Sequence, residues 1–279
     1  PHMTDKIPLA GVIGSPVAHS RSPALHRHWL ESLGLRGHYT PMDVSHENLE
    51  EVLRVLPKMG FVGCNITIPH KVAALNLADA VSDRAALIGS ANTLIFRDDG
   101  SIYADNTDGY GFIANLRNGA PDWTPQDGPV VIFGAGGACR AVLASLIEAG
   151  CTDIRLANRS RPKAEALRTE FGPKITVYDW VLAGSMIEGA ALIVNTTSLG
   201  MVGKSEFKVP LDGLTPDMVV TDIVYTPLDT ELLKAAAAKG CTTVDGLGML
   251  IHQGAPGFER WFGERPPVTE QTRSAVLGW

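Results

Sequence analysis

The stretch Val130-Val131-Ile132-Phe133-Gly134-Ala135-Gly136-Gly137-Ala138-Cys139-Arg140 decides how this chain folds. Four consecutive apolar residues predict a short buried strand. A glycine-rich turn follows, and Ala141 to Ala149 reads as a helix closed by Gly150 at its C′ position. Strand, glycine turn and helix in that order build a phosphate-binding element. The glycines let the backbone approach a pyrophosphate, and the helix N-terminus offers N–H groups that lack partners of their own. The G-x-G-x-x-G fingerprint of dinucleotide sites is met at Gly134 and Gly136; its third position is Cys139, with Gly137 as an extra glycine. A tight turn between two buried elements is the bland alternative.

Downstream, Asp153 to Ala157 is the next strand. A site for NAD places an acid at the end of this strand to hold the ribose hydroxyls. Here the residues are Asn158-Arg159-Ser160-Arg161-Pro162-Lys163, with no acid and three cations. Positive charge at a helix start opposes the helix dipole unless an anion sits there, so the cluster points to a 2′-phosphate and to NADP over NAD. Ser160 is expected to cap a helix running to Phe171. Lys174 to Tyr178, Ala190 to Asn195, Met218 to Ile223 and Thr242 to Asp245 are further strands, and Asp229 to Lys239 is an alanine-rich helix. Thr196-Thr197-Ser198-Leu199-Gly200-Met201 forms a polar, glycine-containing edge expected beside the nucleotide.

Upstream, strand-helix units repeat. Ile7 to Gly14 is a strand, after which Ser20, Ser22 and Pro23 precede a helix to about Leu33, with Ser22 as N-cap and Pro23 at N1. Ser20 and Ser22 are either caps or a pair of hydroxyls presented to a polyol or carboxylate. His38 to Met42 is a strand, and Ser45 is expected to cap a helix to about Met59. Phe61 to Ile68 is a strand on which Asn65 and Thr67 share one face; buried polar groups need partners, from backbone or ligand. Lys71, just past Pro69 at a helix start, is either solvated or poised for proton transfer. Asn92 to Phe96 and Ser101 to Ala104 read as a hairpin, followed by Asp105-Asn106-Thr107-Asp108-Gly109 and a helix from Tyr110 to Leu116. Asp108 is either a helix cap or a working carboxylate. Polar clusters at nearly every strand end are expected to share one sheet edge, where ligands bind in α/β folds. Asn118 to Pro129 reads as a loop between domains.

The chain has 279 residues, 45% apolar and 19% charged, with net charge −6. That suits an α/β globule of one or two domains and supplies no basic footprint for nucleic acid. Cys64, Cys139, Cys151 and Cys241 lie far apart without CxxC pairs, which predicts reduced thiols in a cytoplasmic protein. No signal peptide is read, and no apolar run approaches the roughly 18 residues of a membrane span. No His, Cys or acidic cluster has metal-ligand spacing. Pro1-His2 before Met3 reads as a tag remnant.

Six separated motifs together resemble the shikimate dehydrogenase family from Leu9 to about Pro267: Ser20-Arg21-Ser22-Pro23; Asn65-Ile66-Thr67-Ile68-Pro69-His70-Lys71; Asn92-Thr93; Asp105-Asn106-Thr107-Asp108-Gly109; Gly134-Ala135-Gly136-Gly137-Ala138; and Gly248-Met249-Leu250 with Gln253. The resemblance implies a two-domain α/β protein whose substrate domain and Rossmann-type NADP-binding domain flank a cleft. The substrate domain would span 3–107 and the cofactor domain 108–245, and a C-terminal helical segment, 246–279, would return to the substrate domain. It implies reversible NADP-dependent reduction of 3-dehydroshikimate to shikimate, with Lys71 and Asp108 as acid-base pair. Ser20 and Ser22 would hold the substrate carboxylate; Asn65, Thr67, Asn92, Asp108 and Gln253 would hold ring hydroxyls, with Tyr225 at the substrate edge. Gly134, Ala135, Gly136, Gly137 and Ala138 would carry the pyrophosphate. Asn158, Arg159 and Lys163 would surround the 2′-phosphate. Lys163 replaces the family's arginine, keeping the charge without the bidentate fork, and Arg161 is available as a substitute. Thr197, Ser198, Met201, Val224, Gly246 and Met249 would complete the cofactor site. The alternatives are a quinate/shikimate enzyme using NAD or NADP, and an NADP-binding regulator without chemistry. The implied partner is a small molecule, not nucleic acid or membrane, and the implied assembly is a monomer or homodimer.

Overall fold

The structure is a computed structural model that describes residues 6–278, so Pro1-His2 lies outside the described residues. The chain divides into two compact units, one comprising residues 1–107 and 251–279, the other 108–250.

In the first unit, β1 (Leu9–Gly14), α1 (Ser22–Leu33), β2 (His38–Asp43), α2 (Leu49–Val55), β3 (Gly63–Ile66), α3 (Lys71–Leu77), β4 (Ala80–Val81), α4 (Asp83–Ile88), β5 (Thr93–Phe96) and β6 (Ile102–Asp105) follow in order. The sheet runs β2-β1-β3-β5-β6-β4. β1 pairs in parallel with β2 and β3, whereas β5 is antiparallel to both β3 and β6. Asn92 therefore stands before its strand rather than at the end of one. The reversal of β5 carries it to the edge where β3 ends, and Asn65 lies opposite Thr93 in the register.

Local readings are corrected at several caps. α1 begins at Ser22, and the cap position belongs to Arg21, without a side-chain bond. Ser22 cannot cap because its side chain is buried and turned to Tyr39. Ser45 makes no capping bond, and the helix expected from it is broken into a 3-10 turn, α2 and a second 3-10 turn holding Pro57. A proline lacks the N–H that would continue an α-helical ladder.

The second unit contains α5 (Asp108–Gly119), β7 (Val130–Phe133), α6 (Gly137–Ala149), β8 (Ile154–Ala157), α7 (Arg161–Phe171), β9 (Ile175–Tyr178), α8 (Ala183–Met186), β10 (Leu192–Asn195), β11 (Val219–Asp222), α9 (Glu231–Ala238) and β12 (Thr242–Val244). Its sheet is wholly parallel in the order β9-β8-β7-β10-β11-β12. This is the doubly wound, Rossmann-type order, with its reversal between β7 and β10. Helices on both faces explain the unbroken apolar run of β7: Val130 and Ile132 enter one core, Val131 and Phe133 the other. Residues 120–129 lie inside this unit, after α5, rather than between the units.

α10 (Leu247–Phe262) is a single helix with Pro256 inside it. The unit boundary falls within it, at Leu250 and Ile251. α11 (Glu270–Leu277) is capped by a reciprocal Thr269–Thr272 box. In the first unit, Trp261 Nε1 donates to Leu94 O at 3.2 Å and Trp29 Nε1 donates to Pro267 O at 2.9 Å. Phe258 and Trp261 are buried there.

Candidate active site

In the first unit, three of the expected substrate residues form one buried hydrogen-bonded face. Asn65 Nδ2 donates to Asn92 O at 3.2 Å and to Thr93 Oγ1 at 3.3 Å. Thr93 Oγ1 donates to Asn92 Oδ1 at 3.0 Å, and Asn92 Nδ2 donates to Thr107 Oγ1 at 2.8 Å and to Gln253 Oε1 at 3.1 Å. Two backbone groups set the polarity. The Asn92 carbonyl can only accept, which turns Asn65 Nδ2 toward it. The Thr107 N–H can only donate, and it gives to Asn92 Oδ1 at 2.9 Å. The neutral amides and hydroxyls suit an uncharged polyol, and they are preorganised before any ligand arrives.

Tyr39, Thr93 and Thr107 are members of this face that sequence reasoning missed. Tyr39 donates to Asn65 Oδ1 at 2.7 Å, and its own oxygen accepts from Ser22. Burial raises the Tyr39 phenol well above its ordinary pKa, so the proton stays on. Its ring stacks on His26 at 3.9 Å and 4°, and burial lowers that imidazole to about 3, keeping it neutral. Thr107 carried a signal, since it lies in the polar cluster after β6; Tyr39 carried none, because its phenol works from β2, two strands across the sheet from β3.

The β1–α1 connection places Ser20 and Ser22 together, with Ser20 Oγ accepting from the Ser22 N–H at 3.3 Å. Thr67 lies just past β3, which ends at Ile66, though its N–H still donates to Ile13 O at 2.9 Å. Lys71 is the first residue of α3, half-buried, and its carbonyl accepts from Ala91 N–H at 2.9 Å, tying it to the residue before Asn92.

In the second unit, Asp108 is the first residue of α5, where a carboxylate is favoured by the helix dipole. Gly134 follows β7 with φ 119°, and a β-carbon there would collide with Thr196 Oγ1. Gly136 and Gly137 are exposed, with no atom within 4 Å of where a β-carbon would stand. Gly136 is the cap of α6, makes no side-chain cap, and the first turn of the helix has no acid. An open glycine shelf before a 13-residue helix, at the reversal between β7 and β10, fits a dinucleotide pyrophosphate. Ala135 and Ala138 flank the shelf.

At the end of β8, Asn158 Nδ2 donates to Ser160 O at 3.0 Å; Ser160 holds the cap position of α7 without a side-chain bond. The Arg159 guanidinium lies 6.0 Å from the Trp180 ring centre, and Lys163 is exposed. Arg161 is engaged elsewhere, donating to Asp179 at 2.7 Å and to Glu165 at 3.3 Å. Those carboxylates neutralise it, so it is a poor replacement for the missing arginine fork. Thr197 and Ser198 follow β10, and Thr197 donates its N–H and hydroxyl to Asn195 Oδ1 at 3.0 and 2.7 Å. Met201 is 38% exposed, whereas Val224 is buried and offers backbone. Tyr225 follows Val224; Gly246 and Met249 bracket the start of α10. Cys139, the residue at the third fingerprint position, is fully buried, and burial pushes its thiol up to about 12.

Among the described residues, no group of three His, Cys, Asp or Glu side chains could hold a metal, and no helix is long and apolar enough to cross a membrane. All four cysteines are buried and unpaired.

Residues 12–94 match the substrate-binding domain of shikimate dehydrogenase, residues 123–225 match shikimate / quinate 5-dehydrogenase, and residues 246–277 match the C-terminal domain of shikimate 5′-dehydrogenase. The chain is 68% identical over 272 residues to a shikimate dehydrogenase (NADP(+)) of Cereibacter sphaeroides, covering 98% of each. Quinate dehydrogenase from Corynebacterium glutamicum in complex with NAD is similar with a TM-score of 0.90 at 33% identity, over 99% of this chain and 100% of that one. Shikimate 5-dehydrogenase from Thermus thermophilus, in complex with NADP(H) and shikimate, gives 0.85 at 38% identity, over 97% and 99%. The chain belongs to the shikimate dehydrogenase family.

Proposed function

We propose that this chain reduces 3-dehydroshikimate to shikimate reversibly, with NADP(H) as its cofactor. The observation that carries the reading is the amide and hydroxyl face built from buried Asn65, Asn92 and Thr107 and half-buried Gln253. It offers a ring polyol fixed donors and acceptors, and Ser20 and Ser22 on the same unit supply hydroxyls for a carboxylate. A reducing compartment, the cytoplasm, suits four buried free thiols.

NADPH supplies a hydride to the carbonyl carbon when it is bound. The protein's part is to place the substrate and to handle the proton. An alkoxide develops on the carbonyl oxygen, and a cationic group beside it lowers the barrier. We assign that task to Lys71 Nζ, which donates the proton in reduction and accepts it in oxidation. Asp108 is its acid-base partner on the substrate. Gly136 and Gly137 hold the pyrophosphate against the start of α6, and Asn158, Arg159 and Lys163 hold the 2′-phosphate. The absence of an acid at the end of β8 favours NADP.

The likeness to an NAD-bound quinate dehydrogenase favours a second reading, a dual-specificity enzyme. Initial rates of oxidation with shikimate and quinate, each offered NADP⁺ and NAD⁺, separate the two. Rate with shikimate and NADP⁺ alone is the expected result. Comparable rates with quinate or NAD⁺ establish the dual enzyme, and saturable NADP⁺ binding without turnover establishes a regulator.

A further inference from the structure

Asp222 ends β11, beside β10 in the second unit, and its side chain is fully buried. Among the described residues its partners are hydrogen-bond donors and no cation. Oδ1 accepts from the Val224 N–H at 3.0 Å and from Asn195 Nδ2 at 3.1 Å; Oδ2 accepts from the Thr230 hydroxyl at 2.9 Å. Asn195, also fully buried, lies opposite Asp222 in the β10–β11 register.

The carboxylate settles which way the Asn195 amide turns. An acceptor-only Oδ1 draws Nδ2 toward it, and Asn195 Oδ1 is left facing Thr197. There it accepts the Thr197 N–H and hydroxyl, while Nδ2 also donates to Leu199 O at 3.2 Å. The Thr197 oxygen then accepts from the Leu199 N–H at 3.1 Å. Two loops that leave neighbouring strands are thus pinned to one side chain. Burial raises the Asp222 carboxyl to about 6, against the pull of its three hydrogen bonds. Burying an acid costs free energy that an apolar residue would not.

We propose that Asp222 is a positioning residue for the nicotinamide half of the cofactor, fixing Val224 directly and Thr197 through Asn195. This rests on the reading that Thr197 and Val224 border the nicotinamide. Among the described residues neither is hydrogen-bonded to the cations that follow β8, so the two halves of the cofactor can be tested apart.

Calorimetric affinities for NADP⁺ and for 2′,5′-ADP, which lacks the nicotinamide half, provide the test without turnover. The wild-type chain is expected to bind NADP⁺ about tenfold or more tighter than 2′,5′-ADP. Asp222→Ala is expected to bring the two affinities within about threefold while its affinity for 2′,5′-ADP stays within about twofold of wild type. Asp222→Asn keeps Oδ1 for Asn195 and Val224 and is expected to retain the difference. An Asp222→Ala variant with the full difference overturns the proposal, and so does one that loses both ligands equally, which marks a merely structural role. If the wild-type chain shows no difference, the nicotinamide border itself is misread and both readings fall. Should Asp222→Ala not fold, amide exchange in the cofactor-free wild-type chain decides. Protected Thr197 and Val224 amides are expected, and exchange at the rate of exposed loops overturns the bracket.

Discussion

Asn92 Nδ2 donates to Gln253 Oε1 at 3.1 Å although 161 residues separate them in the chain. Thr107 strengthens the link, its hydroxyl donating to Gln253 O at 2.7 Å. Helix α10 thereby closes the polar face that β3, β5 and the residues after β6 begin. Gln253→Ala removes the acceptor for a buried amide donor, a loss of about 1–3 kcal/mol. The expected result is a rise of about tenfold in KM for shikimate with kcat changed far less. Steady-state kinetics check it; an unchanged KM removes Gln253 from the substrate face.

Lys71→Ala is expected to lower kcat by about 10² to 10⁴ while substrate affinity changes little, because the proton donor is lost and the binding face remains. Binding of shikimate measured by calorimetry beside kcat distinguishes the outcomes. Lost binding with retained kcat would make Lys71 a ligand rather than an acid.

The two glycine positions should separate fold from ligand. Gly134→Ala forces a side chain at φ 119° against Thr196, so Tm should fall and dinucleotide binding with it. Gly137→Ala meets open space within a helix, so Tm should hold or rise, while the added carbon stands where the pyrophosphate approaches and weakens binding. Thermal melts and NADP⁺ titrations on both variants test this. A Gly137→Ala chain that binds NADP⁺ normally would place the phosphates elsewhere.

Asp222 should write itself into the pH dependence of stability. Its folded pKa of about 6 lies above its unfolded value, so its contribution is fully present below about pH 4 and is lost as pH rises through 6. Relative to Asp222→Asn, the wild-type chain should gain roughly 2–3 kcal/mol between pH 8 and pH 4. Urea unfolding of both chains across that range measures it, and a flat difference contradicts the assignment.

At the cation cluster after β8, proposed to hold the 2′-phosphate, Arg159→Ala should raise KM for NADP⁺ by more than Arg161→Ala does. Arg161 is already paired with Asp179 and Glu165, and the negative charge of those two carboxylates offsets its attraction for a phosphate. Equal effects would show that Arg161 leaves its partners for the phosphate.

The second unit was largely legible from residue order. Four apolar residues, a glycine turn and a helix open its sheet, strand-helix units follow, and a parallel sheet covered on both faces has few ways to be wound. The cations after β8 and the missing acid were visible because local spacing alone places them at a strand end. Ser22 was misread as a cap for the opposite reason: its partner, Tyr39, comes from β2, and no local pattern announces it.

The amino-acid sequence by itself determined the elements that rest on local chemistry: the glycine shelf, the helix-ending glycines, Lys71 at a helix start, and the clusters at strand ends. Tertiary structure alone decided which polar groups meet. The antiparallel turn of β5 brings Asn92 to Asn65, α10 carries Gln253 to Asn92 and Thr107, and β10 lies beside β11 so that Asp222 reaches Asn195. Each of these bonds joins residues 27 or more positions apart. A hydrogen bond is short-ranged and directional, so its existence depends on strand order and register, which only the packed cores establish.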